Sequence, residues 1–369
     1  MQKKIIALAI AGLVSGSAFA QSTVTITGLF DTGVQMFSAE NAGATTRTNR
    51  VGSASNSATT NLTFLAQEDL GGGMKAGLWL ETDPTAGSGN AAGSFLLNSQ
   101  NYLWVSGGFG KVSLGFMNNF ALTSALQAQP FGVGMGGGYS GAFGRLNGTS
   151  VIGAPTTVAP ALNATAGSVF AGARDIRANN SVKWDSPSFS GFSGGLIYRA
   201  PNSGSGNAAA DADGQSQIGL NYNNGPLNLS FTHSNVQTNV ASLNTGVTTH
   251  NLLGANYTFS SVTLYGGWTS SKVKGTAAAA PAADARSWNV ALKWQATPSL
   301  AVMGNVLRSD DKLVADQDRN LNALGLDYAM SKRTTAYVRW EGGDNDKSAT
   351  TGFNSGKFNR TAAGLRHSF

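Results

Sequence analysis

The sequence predicts an all-β fold, a sixteen-stranded antiparallel transmembrane β-barrel with a long third loop folded into the lumen. Three observations carry this. An export signal is followed by no apolar run long enough for a spanning helix. Short stretches alternate apolar and polar residues with a period of two. Tight turns alternate with long loops over the whole chain.

The first twenty residues read as a secretory signal peptide. Lys3 and Lys4 form the basic region, Ile5 to Val14 the apolar core, and Ala18-Phe19-Ala20 the small-residue cleavage site. Two regions are therefore expected: residues 1–20, cleaved on export, and residues 21–369, the barrel. Beyond the signal no stretch of about 18 apolar residues occurs, so the exported chain is either soluble or inserted as strands. Composition narrows this further. Charged residues make up 12% and apolar residues 41%, mean hydropathy is -0.09, and 48 glycines stand against 9 prolines. That balance suits neither a disordered chain nor a helical bundle, and does suit many two-faced strands joined by glycine turns. The absence of cysteine fits a barrel, whose closed hydrogen-bond ladder needs no disulfide. The basic residues are scattered singly, without the cluster a nucleic-acid surface needs.

The first strand is expected from Gln21 to about Phe37. Val24, Ile26, Phe30, Val34 and Met36 share one parity; Thr23, Thr25, Thr27, Asp31 and Gln35 share the other. In a membrane barrel the apolar parity meets lipid and the polar parity the lumen. The pattern recurs from Pro226 to Ser234 and is cleanest from Arg286 to Gln295, where Trp288, Val290, Leu292 and Trp294 alternate with Ser287, Asn289, Ala291, Lys293 and Gln295. Between Asn101 and Ser106 both parities are largely apolar and no face is assigned.

Seven tight turns are expected, near Leu70–Gly73, Gly107–Gly110, Pro187–Gly191, Asn224–Pro226, Ser260, Thr297–Pro298 and Ser331–Lys332. Eight long loops alternate with them, near Ser38–Asn56, Pro84–Leu97, Asn118–Ala173, Ala200–Gly214, Val236–Val247, Lys274–Pro281, Asp310–Asp316 and Gly342–Gly356. Such alternation gives sixteen strands of about ten residues, with both termini on the short-turn side. The third loop, Asn118–Ala173, holds no acid, one Arg (Arg145) and a glycine cluster from Gly132 to Gly138. An insertion this long inside a compact fold is usually functional or disordered, and it is expected to set the bore of a water-filled pore. The chain closes on Leu365, His367 and Phe369 of one parity, with an aromatic at the membrane girdle.

Five segments resemble the Gram-negative general porins, in particular the betaproteobacterial branch. They are Ser22–Asp31, Glu68–Gly77, Gly107–Gly115, Tyr328–Thr334 and Gly364–Phe369, in that order along nearly the whole mature chain. The resemblance implies a homotrimer in the bacterial outer membrane, in contact with its lipid and lipopolysaccharide. It implies passive diffusion of small hydrophilic solutes and ions without a cofactor, and an anion preference from basic residues lining the constriction. Where the family often has basic residues in the second strand, this chain has Asn61 and Leu65; where it often has Arg in the fifth, this chain has Phe116. The basic ladder is thinner here.

Selectivity in a wide pore comes from fixed charge between low-dielectric walls. Parity turns Lys75, Lys183, Lys293, Arg339, Arg360 and Arg366 inward, with Glu81, Asp185 and Asp327 opposing them. From Pro84 to Arg174 there is no carboxylate, against Lys111, Arg145 and Arg174, so the constriction is expected to be positive or nearly neutral. A lumenal cation is more often a solvated charge away from the narrowest point; Arg145, in the loop itself, is the leading candidate.

Other motifs give way to blander readings. Gly132–Gly137 matches G-x-G-x-x-G without the strand and helix of a dinucleotide site. Gly191–Gly195 matches G-x-S-x-G, but it begins an alternating strand; parity turns His233 and His367 to lipid, and His250 lies at a loop edge. No enzyme and no metal site are expected. Trp288 and Trp294 read as girdle aromatics. The expectation is a weakly anion-preferring diffusion channel. The alternatives are a substrate-specific channel for sugars or organic acids, for which Trp79 and Tyr265 offer only two lumenal rings, and an adhesin with the same strand pattern.

Overall fold

The computed structural model describes residues 22–41, 44–52, 56–84, 97, 99–137, 177–200, 214–240, 243–275, 283–311, 318–345 and 356–369. The expected signal peptide, Arg145 and the third loop beyond residue 137 lie outside them. Strands β1 (Thr23–Asn41), β2 (Ala44–Gly52), β3 (Asn61–Gly71), β4 (Met74–Thr82), β5 (Asn101–Gly107) and β6 (Gly110–Asn118) precede one helix, α1 (Phe120–Gln127). After it come β7 (Arg177–Asp185), β8 (Phe192–Arg199), β9 (Gln215–Asn224), β10 (Leu227–Val240), β11 (Leu243–Phe259) and β12 (Val262–Gly275). The wall is completed by β13 (Ala283–Gln295), β14 (Leu300–Asp311), β15 (Arg319–Ala329), β16 (Thr334–Asn345) and β17 (Gly356–Ser368).

The wall strands pair antiparallel in series, and β1 pairs with β17, so the sheet closes on itself; β2 pairs with β1 alone among the described residues. Seventeen segments fill sixteen wall positions because β2 and β3 share one. The first half of β1 pairs with β3 through Thr23–Leu29, and its second half with β2 through Gly33–Asn41. At the break between β2 and β3 the chain leaves the ladder and is held by Asp31. Its fully buried carboxylate accepts from the N–H of Ser57 at 2.8 Å and of Ala58 at 2.7 Å, and from the Tyr337 hydroxyl at 2.5 Å. Asp31→Ala leaves three donors without an acceptor and is expected to cost about 3 kcal/mol, read by urea unfolding in detergent.

Burial is inverted relative to a soluble protein, as a barrel that meets lipid outside and water inside requires. On β1, Val24 is 74% and Ile26 58% exposed while Asp31 and Gln35 are sealed. The undecided strand β5 turns Leu103 and Val105 outward. All seven tight turns are found where expected. Two expected loops are instead strand. Ser38–Asn41 of β1 pairs with Ala44–Arg47 of β2, which runs on to Gly52, and Val236–Val240 and Leu243–Val247 lie in β10 and β11. Both segments are polar, and polar residues reading as loop also serve as strand where the wall rises above hydrocarbon. Several strands accordingly run well beyond ten residues, to 17 in β11 and 19 in β1.

An inward wall position can also be apolar. Met303 and Leu307 of β14, Leu321 and Ala323 of β15, Leu252 of β11, Phe37 of β1 and Phe358 of β17 form one cluster with Ala125, Ala128 and Phe131. This small core fixes the inner segment described next.

Candidate functional site

The first part of the third loop, expected to be irregular, opens with a helix. Asn119 caps α1, its side-chain carbonyl accepting from the N–H of Ala121 at 3.1 Å and of Leu122 at 3.4 Å. The Gln217 amide oxygen takes the Phe120 N–H at 2.6 Å. Small residues let the helix lie against the wall. Ser124 shares hydroxyl hydrogen bonds with Ser230 at 2.7 Å and Thr232 at 2.8 Å, and a Cβ on Gly254 would overlap the Ser124 carbonyl oxygen. The Lys183 ammonium sits 4.4 Å from the centre of the Phe120 ring.

Beyond the helix, amide side chains of successive strands catch the segment in turn. Asn256 donates to Gln127 O at 3.1 Å, Asn289 to Ala128 O at 2.7 Å and Asn305 to Gly136 O at 2.8 Å. Gln129 makes a local turn, accepting from Phe131 N–H at 2.6 Å and donating to Gly132 O at 2.8 Å. Met135 N–H donates to Asn56 O at 3.1 Å, and Gly136 N–H to Glu341 Oε2 at 2.6 Å. The segment 119–137 therefore runs along the polar parity from β9 to β16 and reaches the break before β3. The glycines at 132–137 make turns rather than a phosphate loop.

Charges of both signs flank this segment. Arg339, 2% exposed, pairs with Asp327 at 2.6 Å, donates to Leu326 O and lies 5.7 Å from the Phe131 ring centre. Arg366 reaches the same Asp327 at 3.7 Å and donates to the Ser57 hydroxyl at 2.9 Å. Arg360 pairs with Glu341 at 2.5 Å, both buried. Lys183 pairs with Asp185 at 3.2 Å, which Lys111 also approaches at 3.9 Å. Glu81 accepts from Ser99 at 2.6 Å, Gln100 at 3.1 Å and Trp79 at 2.8 Å. Lys293 is half-buried on the same parity, and Lys75 is exposed beside the β3–β4 turn, away from segment 119–137.

Four charged residues of this wall escape the sequence pattern: Arg50, Glu341, Arg177 and Asp83. Arg50 falls in what reads as a loop; it lies on β2, donates to Gln35 at 3.2 Å and makes no ion pair among the described residues. Glu341 lies beside Gly342 and Gly343, where the strand reads as ending. Arg177 pairs with Asp83 at 3.1 Å, just past the end of β4. Burial pushes the Asp83 carboxyl above its ordinary value, against the opposing pull of Arg177. The placement of His250 is corrected as well: it is buried within β11, its ring bonded to Ser271, not at a loop edge.

A closed sixteen-position barrel, apolar outside and polar inside, is thus crossed by charged rows and a buried loop segment. The family model for Gram-negative porins matches residues 7–348. The chain belongs to the Gram-negative porins. It is similar to outer membrane porin protein 32 of Delftia acidovorans, 34% identical over 72% of this chain and 68% of that protein. It is also similar to an outer membrane porin protein of Bordetella pertussis, 27% identical over 92% of this chain and 93% of that one. Among solved structures, the anion-selective porin from Comamonas acidovorans superposes with a TM-score of 0.76 at 25% identity, covering 95% of this porin and all of that chain. This porin is therefore an outer-membrane channel protein, and the adhesin alternative falls away.

Proposed function

We propose that this porin passes small hydrophilic solutes and ions by diffusion, with a weak preference for anions, and works as a homotrimer after removal of residues 1–20. Segment 119–137 narrows the lumen and the flanking charges filter what passes. The observation that carries the anion preference is the pairing pattern of the wall. Asp327 is shared by Arg339 and Arg366 and Asp185 by Lys183 and Lys111, Glu341 pairs with Arg360, and the cation-free acids Asp31 and Glu81 are balanced by Arg50 and Lys293, which have no ion-pair partner among the described residues. Paired charges largely cancel, so the residual field is set by the excess of cations over acids at Asp327 and Asp185 and is modest. Segment 119–137 has no acid to offset them. Lys183, Arg339, Arg360 and Arg366 shape the bore; Lys75, Glu81 and Asp185 tune it from the wall, and Arg145 would add to the positive side. The likeness to an anion-selective porin of Comamonas acidovorans points the same way.

The test is the zero-current potential of the purified porin in a planar bilayer across a KCl gradient. Chloride is expected to permeate better than potassium, and Arg50→Glu to abolish or reverse that sign. A potassium preference in the unmutated porin overturns the anion reading. The Trp79–Tyr102 stack, with centroids 6.0 Å apart, supports a second reading as a sugar- or organic-acid-specific channel. That reading requires saturable block of the current by such a solute.

A further inference from the structure

On the inner face of β4 and β5, beside the start of α1, three aromatic rings stand together. Trp79 and Tyr102 are direct cross-strand partners, their ring centres 6.0 Å apart and their planes at 10°. Trp104 follows two residues along β5, roughly 7 Å nearer the short turns at the rise of a β-strand. It lies across Gly77, where an added Cβ would come within 2.5 Å of its ring. All three are half-buried, and the first two are fixed in place. The Trp79 indole N–H donates to Glu81 at 2.8 Å, and Tyr102 packs on the cluster of Met117, Phe120, Ala178 and Ile197. The inner segment leaves this side of the bore uncovered. Past Phe120, the hydrogen bonds of segment 119–137 to the wall fall on β1, on β10 to β16 or at the break before β3, among the described residues.

We propose that these rings form a binding site for an uncharged ring-shaped sugar, a pyranose, on its way through the channel. The inference rests on the channel reading above and names the solute class its aromatic wall selects. Beside the rings, Lys75, Lys111 and Lys183 stand against Asp69, Glu81 and Asp185, so this part of the wall carries no net charge. Arg177, at the next level, is paired with Asp83. An organic acid therefore gains nothing here over a neutral solute. A pyranose has a C–H face that stacks on an aromatic plane and a rim of hydroxyls that needs hydrogen-bonding groups. The Tyr102 hydroxyl and the Lys75 ammonium, two residue pairs apart along the pad, have no hydrogen-bond partner among the described residues and can serve that rim. Parallel rings favour a flat solute over a flexible chain, because only a flat face meets them over its whole area. A sugar held beside the start of α1 displaces ions from the path, so its occupancy is read as lost current.

The test records the KCl current of the purified porin in a planar bilayer while glucose is added, with mannitol as an acyclic polyol of the same size. Glucose is expected to reduce the current saturably, and mannitol only in proportion to its concentration. W79A/Y102A should weaken the glucose block at least about tenfold, as loss of two stacking rings implies, while W79F/Y102F should keep it within about threefold. Trp288→Ala, which removes an outward ring, should leave the block unchanged. Equal effects of glucose and mannitol overturn the proposal, and that comparison needs no variant. So does an undiminished block in W79A/Y102A, or saturable block by benzoate but not by glucose, which marks an organic-acid site. Quenching of tryptophan fluorescence by glucose in detergent separates the two readings. A conducting porin without quenching or block sinks this site alone, and a porin that binds glucose but does not conduct sinks the channel reading alone.

Discussion

Glu341→Ala is expected to destabilise this porin by about 3–5 kcal/mol and to enlarge its single-channel conductance. Glu341 is fully buried and has two duties: one oxygen faces Arg360 and the other takes the Gly136 N–H. Removing it strands a guanidinium that is itself only 4% exposed, and breaking one side of a buried ion pair costs that much. The same change frees the far end of segment 119–137 from β16, so the bore should widen where the loop meets the wall. The lumen also loses a negative charge, which should move the zero-current potential further toward chloride. Glu341→Gln keeps an acceptor for Gly136 and should retain most of the loop position while showing the same shift in selectivity. Urea unfolding, followed by tryptophan fluorescence, and bilayer recording read both effects. Unchanged conductance in Glu341→Ala would mean that segment 119–137 is not held by this contact.

Gly254→Val should act from β11, five strands away around the wall. The missing side chain on β11 is what lets α1 lie against the wall, because an added Cβ would overlap the Ser124 backbone oxygen and meet the Ala128 nitrogen at 3.2 Å. Backbone atoms cannot swing aside as a side chain can, so the whole helix must shift away from β11 toward the lumen axis. Overpacking of this kind costs about 1–3 kcal/mol, and conductance should fall because the helix moves into the path. Gly304→Ala is the matched control. Its added carbon meets nothing closer than 3.8 Å, so stability and conductance should stay unchanged. A Gly254→Val barrel with the conductance of the unmutated porin would show that α1 does not border the path.

The wall was legible in the sequence because lipid imposes a strict rule on it. Outward positions inside the hydrocarbon are mostly apolar, as Val24, Ile26 and Phe30 or Trp288, Val290 and Leu292 show, and turn glycines such as Gly71–Gly73 mark the short ends. The inner face obeys no such rule. Met303, Leu307 and Leu321 point inward because Phe131 and Ala125 need something to pack on, and that demand appears only once the loop is in place. Where the strands leave hydrocarbon the two-residue pattern fades, which hid Arg50 in an apparent loop. The helix Phe120–Gln127 escaped notice because its apolar stripe is short and its cap, Asn119, looks like any loop asparagine. Arg339, Arg360 and Arg366 lie on the inner parity, and parity says nothing of their partners. Whether an inward arginine is paired depends on the register between strands distant in sequence.

The seam between β1 and β17 sets a kinetic order on assembly. Thirteen register pairs join these strands, and Thr27 reaches Phe369 across 342 residues. Contacts between chain neighbours close small loops at little entropic cost, so the hairpins from β3 to β16 can zip in sequence, whereas the seam must wait for all of them. Until it forms, the first and last strands each expose an unpaired ladder, the edge most prone to pair with another chain. The rate-limiting event in folding should therefore be the meeting of Gly28 and Phe369, whose backbone groups exchange bonds of 3.2 and 3.1 Å. A circularly permuted porin, cut at an outer loop and spliced across that seam, should turn the slowest contact into a local one and fold faster.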